Sequence, residues 1–215
     1  TCALPIFRLR AATTATSIAE AWRDKALWRV GLATLLTLTI TIGINVHQVP
    51  IVVSAGFTMA DAAWVASMSG IAGIVGKVVT GVLMDRYPVR WIGGLTLAST
   101  ALAYPLLFEQ FRTPELVVLA MAVNGYAAGT KLQLCGYLTA RYAGMKNYGA
   151  IFGFMASLIA LAGGFGPLLA GQVFDRTGDY ALFLIAGTVV SLISGALVFS
   201  LGAYPNWNTS HGETA

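Results

Sequence analysis

The sequence predicts an all-α polytopic membrane protein of six spans, and three observations carry that expectation. Of its 215 residues 57% are hydrophobic and only 10% are charged, whereas a soluble globular domain carries roughly a quarter of its residues as Asp, Glu, Lys and Arg. The apolar residues form long runs separated by short clusters of charge and proline, and helices satisfy their own backbone groups in lipid. At ~20 residues per span plus short connections, a chain of this length holds about six or seven helices. An ordinary cytosolic enzyme does not have this composition.

Taken in order, Thr1 to Ile6 (TCALPI) matches the conceptual translation of a common sequencing adapter, and residues 1–6 are expected to be an artefact outside the fold. Residues 7–27 are polar and Ala/Thr-rich and read as a cytoplasmic linker ending in a short interfacial helix over Ser17 to Lys25. The six-helix domain, 28–203, has apolar runs at 28–53, 62–84, 91–108, 115–139, 149–174 and 180–203, and 204–215 form a cytoplasmic tail. The third and sixth runs have no ionisable side chain in their interiors and are expected to be lipid-facing supports.

Orientation follows from the loops. With the linker in the cytoplasm, Arg8, Arg10, Arg23, Lys25, Arg29, Arg86, Arg90, Arg141 and Lys146 lie inside, against Arg112 and Arg176 outside. Basic residues concentrate on the cytoplasmic side, so both termini are expected there, in a cell inner (plasma) membrane. The same bias accounts for the net charge of +4 and leaves no argument for nucleic acid. Two cysteines, Cys2 and Cys135, and two histidines, His47 and His211, make neither a disulfide framework nor a metal site, and no cofactor motif is present.

Two cations fall inside spans. Lys77 precedes Asp85 by eight residues and Lys131 precedes Arg141 by ten, which at 1.5 Å per residue places both roughly 12 to 15 Å deep, near the middle of a ~30 Å hydrocarbon core. A lysine there costs at least ~2.5 kcal/mol and marks a functional site by default. Gly70, Gly73, Lys77 and Gly81 recur at helical spacing on one face, and Asn124, Ala128, Lys131 and Cys135 share another. The alternative for each lysine is a carbonyl partner inside the bundle, or snorkelling.

Weaker candidates surround them. Asn45 and His47 lie towards the outer end of the first span, where substrate could enter and a proton be handled, or where His47 is a satisfied interfacial residue. Asn124 and Gln133 are positioned for packing bonds or for substrate. Asp61 reads as a helix cap. Asp85, Arg86 and Arg90 read as a cytoplasmic gate with Gly81, or as a topology anchor.

An internal repeat is also visible. Gly73, Gly76, Gly81, Asp85 and Arg86 recur as Gly163, Gly166, Gly171, Asp175 and Arg176, all offset by 90 residues. Three spans separate the copies, so the second emerges on the opposite membrane face, giving inverted three-helix repeats over about 28–108 and 115–203.

Gly81-Val-Leu-Met-Asp85-Arg86-Tyr-Pro-Val-Arg90 resembles the signature loop of the major facilitator superfamily. Gly163-Gly-Phe-Gly-Pro167-Leu-Leu-Ala-Gly171 followed by Asp175-Arg-Thr-Gly178-Asp-Tyr180 is similar to helix eleven of its monocarboxylate and oxalate/formate porter branch. Arg141-Tyr-Ala-Gly144-Met-Lys-Asn-Tyr148-Gly149 resembles that branch's loop between helices ten and eleven, with Ala143 where Phe is usual. The resemblance covers nearly all of residues 20 to 203 and only the family's C-terminal half. It implies helices seven to twelve of a twelve-helix fold, a missing N-terminal six-helix half, and transport of a small organic anion by alternating access, with a monocarboxylate as first candidate and proton coupling as an option. Lys77 stands where the branch often has an Arg that meets the substrate carboxylate, so a point charge replaces a bidentate fork. Lys131 would add positive potential. Two other readings are a self-sufficient six-helix protein that dimerises and a membrane-embedded enzyme, the latter without any recognisable catalytic motif.

Overall fold

The computed structural model describes residues 23–108, 113–144 and 147–202. The expectations for the adapter-like start, the interfacial helix up to residue 22, Lys146 and the tail 204–215 lie outside the described residues.

Local chemistry sets the helix ends. The Asp24 carboxylate accepts the Ala26 amide at 2.7 Å and starts α1, Lys25–Val46, satisfying a donor that the first turn would otherwise leave orphaned. Helix α2 is Gln48–Ser54. Thr58 caps α3, Met59–Arg86, by accepting the Asp61 amide and donating to the Asp61 carboxylate at 2.7 Å. Asp61 thus takes part in the cap expected of it, as the partner of Thr58. Helix α4, Val89–Ala103, continues into a 3-10 turn, Tyr104–Leu107. Thr113 caps α5, Pro114–Ala143, with proline at the first position, where its missing N–H costs nothing. Helices α6, Tyr148–Thr177, and α7, Ala181–Phe199, follow. Gly144 and Gly178 end α5 and α6 with φ of 71° and 79°, values that a side chain would strain.

The first predicted span is corrected. Rather than one helix over 28–53, the helix is interrupted at His47, which separates α1 from α2. Pro50 has no N–H to give the Val46 carbonyl four residues back, and the ladder breaks there. Helices α1, α3, α6 and α7 are each long and apolar enough to cross a membrane on their own. The 15 residues of α4 gain length from the 3-10 turn, and the 30-residue α5 carries the polar residues Asn124, Lys131 and Gln133. The protein is a multi-pass, all-α membrane protein.

Packing pairs α3 with α5, α1 with α6 and α4 with α7. Exchanging the unit α1, α3, α4 with the unit α5, α6, α7 maps the first two pairs onto each other and the third onto itself, the symmetry expected of a three-helix repeat. Closest approaches obey the same exchange. Gly76 lies against the Tyr126 carbonyl, and Gly166, 90 residues on, against the Thr39 carbonyl. Only a missing side chain lets two helix backbones meet this closely.

The core is layered along the helix axes. One apolar cluster includes Leu27, Val30, Met84, Val89, Leu138, Met155 and Val198. A second, at the other end, includes Ile44, Val65, Leu107, Val117, Met121 and Phe183. Between them lie the buried polar side chains Thr37, Thr41, Thr100, Asn124, Lys131 and Ser191. Helices α4 and α7 expose large apolar side chains, Leu95, Leu102, Leu182, Val189 and Leu192 among them, as expected of lipid-facing supports.

Candidate functional site

The polar layer is centred on Lys131, which is 2% exposed on α5. Its ammonium donates to the Thr41 hydroxyl on α1, and no carboxylate pairs with it among the described residues. One turn along α1, the exposed Asn45 accepts from the Asn124 amide at 2.9 Å, and the Tyr104 hydroxyl donates to the Asn124 carbonyl at 3.3 Å. The Thr100 and Ser191 hydroxyls lie 2.8 Å apart and join α4 to α7. Thr37, one turn before Thr41, is buried with no hydrogen-bond partner for its hydroxyl. Asn45, Asn124 and Lys131 therefore belong to one connected region, and the stripe Thr34, Thr37, Thr41, Asn45 at helical spacing was the available signal for it.

A buried charge with a single neutral acceptor is expensive, because the interior replaces little of the hydration it loses. Lys131→Met is therefore expected to leave the thermal stability of the detergent-solubilised protein unchanged or raise it. Thr41→Val, which strands the ammonium, lowers stability by ~1.5 to 3 kcal/mol. A Lys131→Met protein that melts well below wild type would contradict this reading.

Lys77 is placed differently. The sequence grouped Gly70, Gly73, Lys77 and Gly81 on one buried face, but the face of α3 that meets α5 runs through Ser69, Gly73, Gly76 and Thr80. Lys77 is exposed beside that seam and has no hydrogen-bond or ion-pair partner among the described residues. The correction has a simple cause: helical spacing alone leaves a face undefined by a third of a turn. Lys77 and Lys131 are thus not equivalent cations, one being open and the other sealed.

The open side of α3 carries small residues, Ala63, Ser67 and Gly70, all exposed. Gly153, Ser157 and Ala160 occupy the same positions of α6 at the offset of 90. Even the side-chain bonds repeat: Ser67 donates to the Ala63 carbonyl at 3.0 Å and Ser157 to the Gly153 carbonyl at 3.1 Å.

His47 is fully engaged. Its Nε2–H donates to the Pro167 carbonyl at 3.2 Å, since a carbonyl only accepts, and its Nδ1 faces the Tyr180 hydroxyl at 3.0 Å, which then donates. It clamps the break between α1 and α2 onto α6. Asp85, Arg86 and Arg90 are exposed and form no ion pair with one another among the described residues. The Arg90 guanidinium sits 5.8 Å from the Trp91 ring centroid. Gly81, one turn beyond Lys77, has the Gln133 amide nitrogen 3.0 Å from where a Cβ would stand, a contact the sequence did not reveal.

Known proteins resemble this chain in sequence. Mouse (Mus musculus) monocarboxylate transporter 12 is 31% identical over 159 residues, covering 72% of this chain and 32% of its own length. The nitrite extrusion protein of Bacillus subtilis is 26% identical over 190 residues, covering 85% of this chain and 46% of its own. The multidrug efflux pump Tap of Mycolicibacterium fortuitum is 30% identical over 137 residues, 63% of this chain and 33% of its own. The chain spans about a third to just under half the length of these relatives, all three named for moving solutes rather than for catalysis. The family profile described as Major Facilitator Superfamily matches residues 27–214, and with the helical bundle and its repeated seams this shows that the chain belongs to the Major Facilitator Superfamily.

Proposed function

We propose that this chain is the C-terminal half of a twelve-helix secondary transporter that moves a small organic anion, a monocarboxylate first, by alternating access. The observation that carries the reading is Lys77, an exposed ammonium without a partner among the described residues, on the small-residue side of α3. In lipid that charge costs at least ~2.5 kcal/mol, whereas a water-filled cavity between two halves removes the cost and an arriving carboxylate neutralises it. The matching open face of α6 supports the same arrangement, because small residues allow a second six-helix unit to approach closely.

In this mechanism Lys77 attracts the carboxylate and Lys131 adds positive potential from beneath the surface, undiluted by solvent. Asn45 offers a polar edge to the same site. Asp85, Arg86 and Arg90 form the cytoplasmic gate with charges supplied by the missing half, and their lack of mutual pairing supports that role. Binding favours the conformation in which the anion and both halves are in contact, and rocking of the halves then exposes it to the other side. The similarity to a nitrite extrusion protein favours one second reading, in which the anion is inorganic.

Counterflow tests the proposal. With the complete transporter in proteoliposomes preloaded with unlabelled L-lactate, external labelled L-lactate is expected to accumulate transiently above its equilibrium level. Overshoot with trapped nitrite and none with lactate would favour the second reading. A flux without overshoot in either case would sink alternating access.

A further inference from the structure

Helices α3 and α4 follow one another in the chain yet lean on other partners, α3 on α5 and α4 on α7, and the wedge between them is a groove of about 540 Å³. Val75 and Leu83 form one wall, Ile92 and Leu95 the other, and Ala122 and Val123 of α5 the floor. Val75 and Leu95 are exposed, so the groove opens outward. Its hydroxyls are already engaged: Ser99 donates to the Thr96 carbonyl at 2.8 Å, and the Tyr126 and Thr80 hydroxyls lie 3.0 Å apart. Walls of this kind suit hydrocarbon and offer a polar solute little. From Ala72 to Leu83 the groove follows eleven residues of α3, which is ~16 Å and about half of a ~30 Å hydrocarbon core. That is the depth of one leaflet.

The groove ends at a cationic rim. Arg86 follows Val75 by eleven residues, about three turns of α3, and so continues the wall. On α4, Trp91, Leu95 and Ser99 recur at every fourth residue, which puts the indole at the same mouth, and the Arg90 guanidinium stands 5.8 Å from its ring centroid. Arg86, Arg90 and Trp91 are exposed, and neither guanidinium has a hydrogen bond or ion pair among the described residues. Asp85, two residues after Leu83, falls on the side of α3 away from the groove, and Lys77, two residues after Val75, lies on the opposite flank. Among the described residues the rim therefore carries two positive charges and no negative one, and the groove is separate from the proposed anion site.

We infer that the groove between α3 and α4 binds one anionic phospholipid, with an acyl chain along the apolar walls and the phosphodiester on Arg86 and Arg90. A guanidinium meets a phosphate through two parallel hydrogen bonds, and an indole favours the headgroup boundary where Trp91 stands. Basic side chains over a pocket between membrane helices capture anionic headgroups in this way. A soluble phosphate satisfies the arginines but leaves the groove empty, and a zwitterionic lipid fills the groove but brings its own cation to the arginines.

The proposed gate draws on the same two arginines, so binding is read directly rather than through transport. The complete transporter in detergent is equilibrated with equal amounts of dioleoyl phosphatidylglycerol and dioleoyl phosphatidylcholine, and retained lipid is counted by native mass spectrometry. Wild type is expected to retain phosphatidylglycerol over phosphatidylcholine by about twentyfold, from about fivefold for each arginine. Arg86→Gln and Arg90→Gln each lower that ratio about fivefold, whereas Arg29→Gln, at a cation on α1 that donates to the Ser200 carbonyl at 2.9 Å, leaves it within about twofold. Ala72→Phe, which fills the groove and keeps both arginines, lowers retention of both lipids about tenfold or more. Equal retention of the two lipids by wild type, or an Arg29→Gln effect as large as that of Arg86→Gln, would overturn the inference. So would unchanged retention by Ala72→Phe, which would reduce the site to a headgroup contact, and a lipid-free dimer that Ala72→Phe dissociates, which would put a second copy in the groove.

Discussion

Replacing Gly76 or Gly166 by valine is expected to destroy the bundle, at a cost of about 3 kcal/mol or more for each substitution. A Cβ on either glycine would run into a backbone carbonyl, of Tyr126 in one case and Thr39 in the other. A carbonyl inside a helix cannot step aside as the end of a side chain can, so the helices must separate and lose the contacts on both sides of the seam. These are the tightest pairings, α3 on α5 and α1 on α6, and each joins one three-helix unit to the other. Leu102→Ala, at a side chain 78% exposed on α4, provides the comparison and stays within about 0.5 kcal/mol of wild type. Yield of folded, monodisperse protein and its thermal midpoint in detergent measure both. A Gly166→Val protein as abundant and as stable as the Leu102→Ala protein would contradict the packing scheme.

Those two glycines illustrate what the sequence makes legible. The spans follow from hydrophobic runs, because length and apolarity are all that crossing a bilayer requires. The repeat follows from identities at a constant offset, and helix packing turns it into symmetric contacts at Gly76 and Gly166. The break at His47 was readable in principle from Pro50, but a long apolar run hides a proline that removes only one bond. The site was legible as a set of residue types and not as an arrangement. Lys77 and Lys131 look alike in sequence, each alone in an apolar stretch, yet one is open and the other sealed under Thr41. That difference depends on which flank of α3 meets α5 and on a hydroxyl 90 residues away along the chain, a long-range pairing to which spacing within one helix is blind. The contact between Gln133 and Gly81 was hidden for the same reason. The engagement of both His47 nitrogens was hidden too, since Pro167 and Tyr180 are more than a hundred residues distant.

Lys77→Ala is expected to abolish saturable anion uptake, and Lys77→Arg to retain a substantial part of it. The alanine variant removes the exposed cation beside the α3 seam without disturbing packing, because Lys77 contributes no bond to the fold among the described residues. Loss of the charge-assisted hydrogen bond to a carboxylate costs ~1.5 to 3 kcal/mol, a factor of about ten to a hundred in affinity. Arginine keeps the charge and offers a planar fork to the same carboxylate. By contrast Lys131→Met keeps its abundance and binds more weakly, since its charge acts at a distance.

The most direct measurement is initial-rate uptake of labelled L-lactate by proteoliposomes holding the complete transporter, wild type beside Lys77→Ala, normalised to reconstituted protein. The account predicts saturable uptake in the first and a flat, non-saturable background in the second at equal protein content. Saturable uptake of equal rate and KM by the Lys77→Ala protein would contradict it.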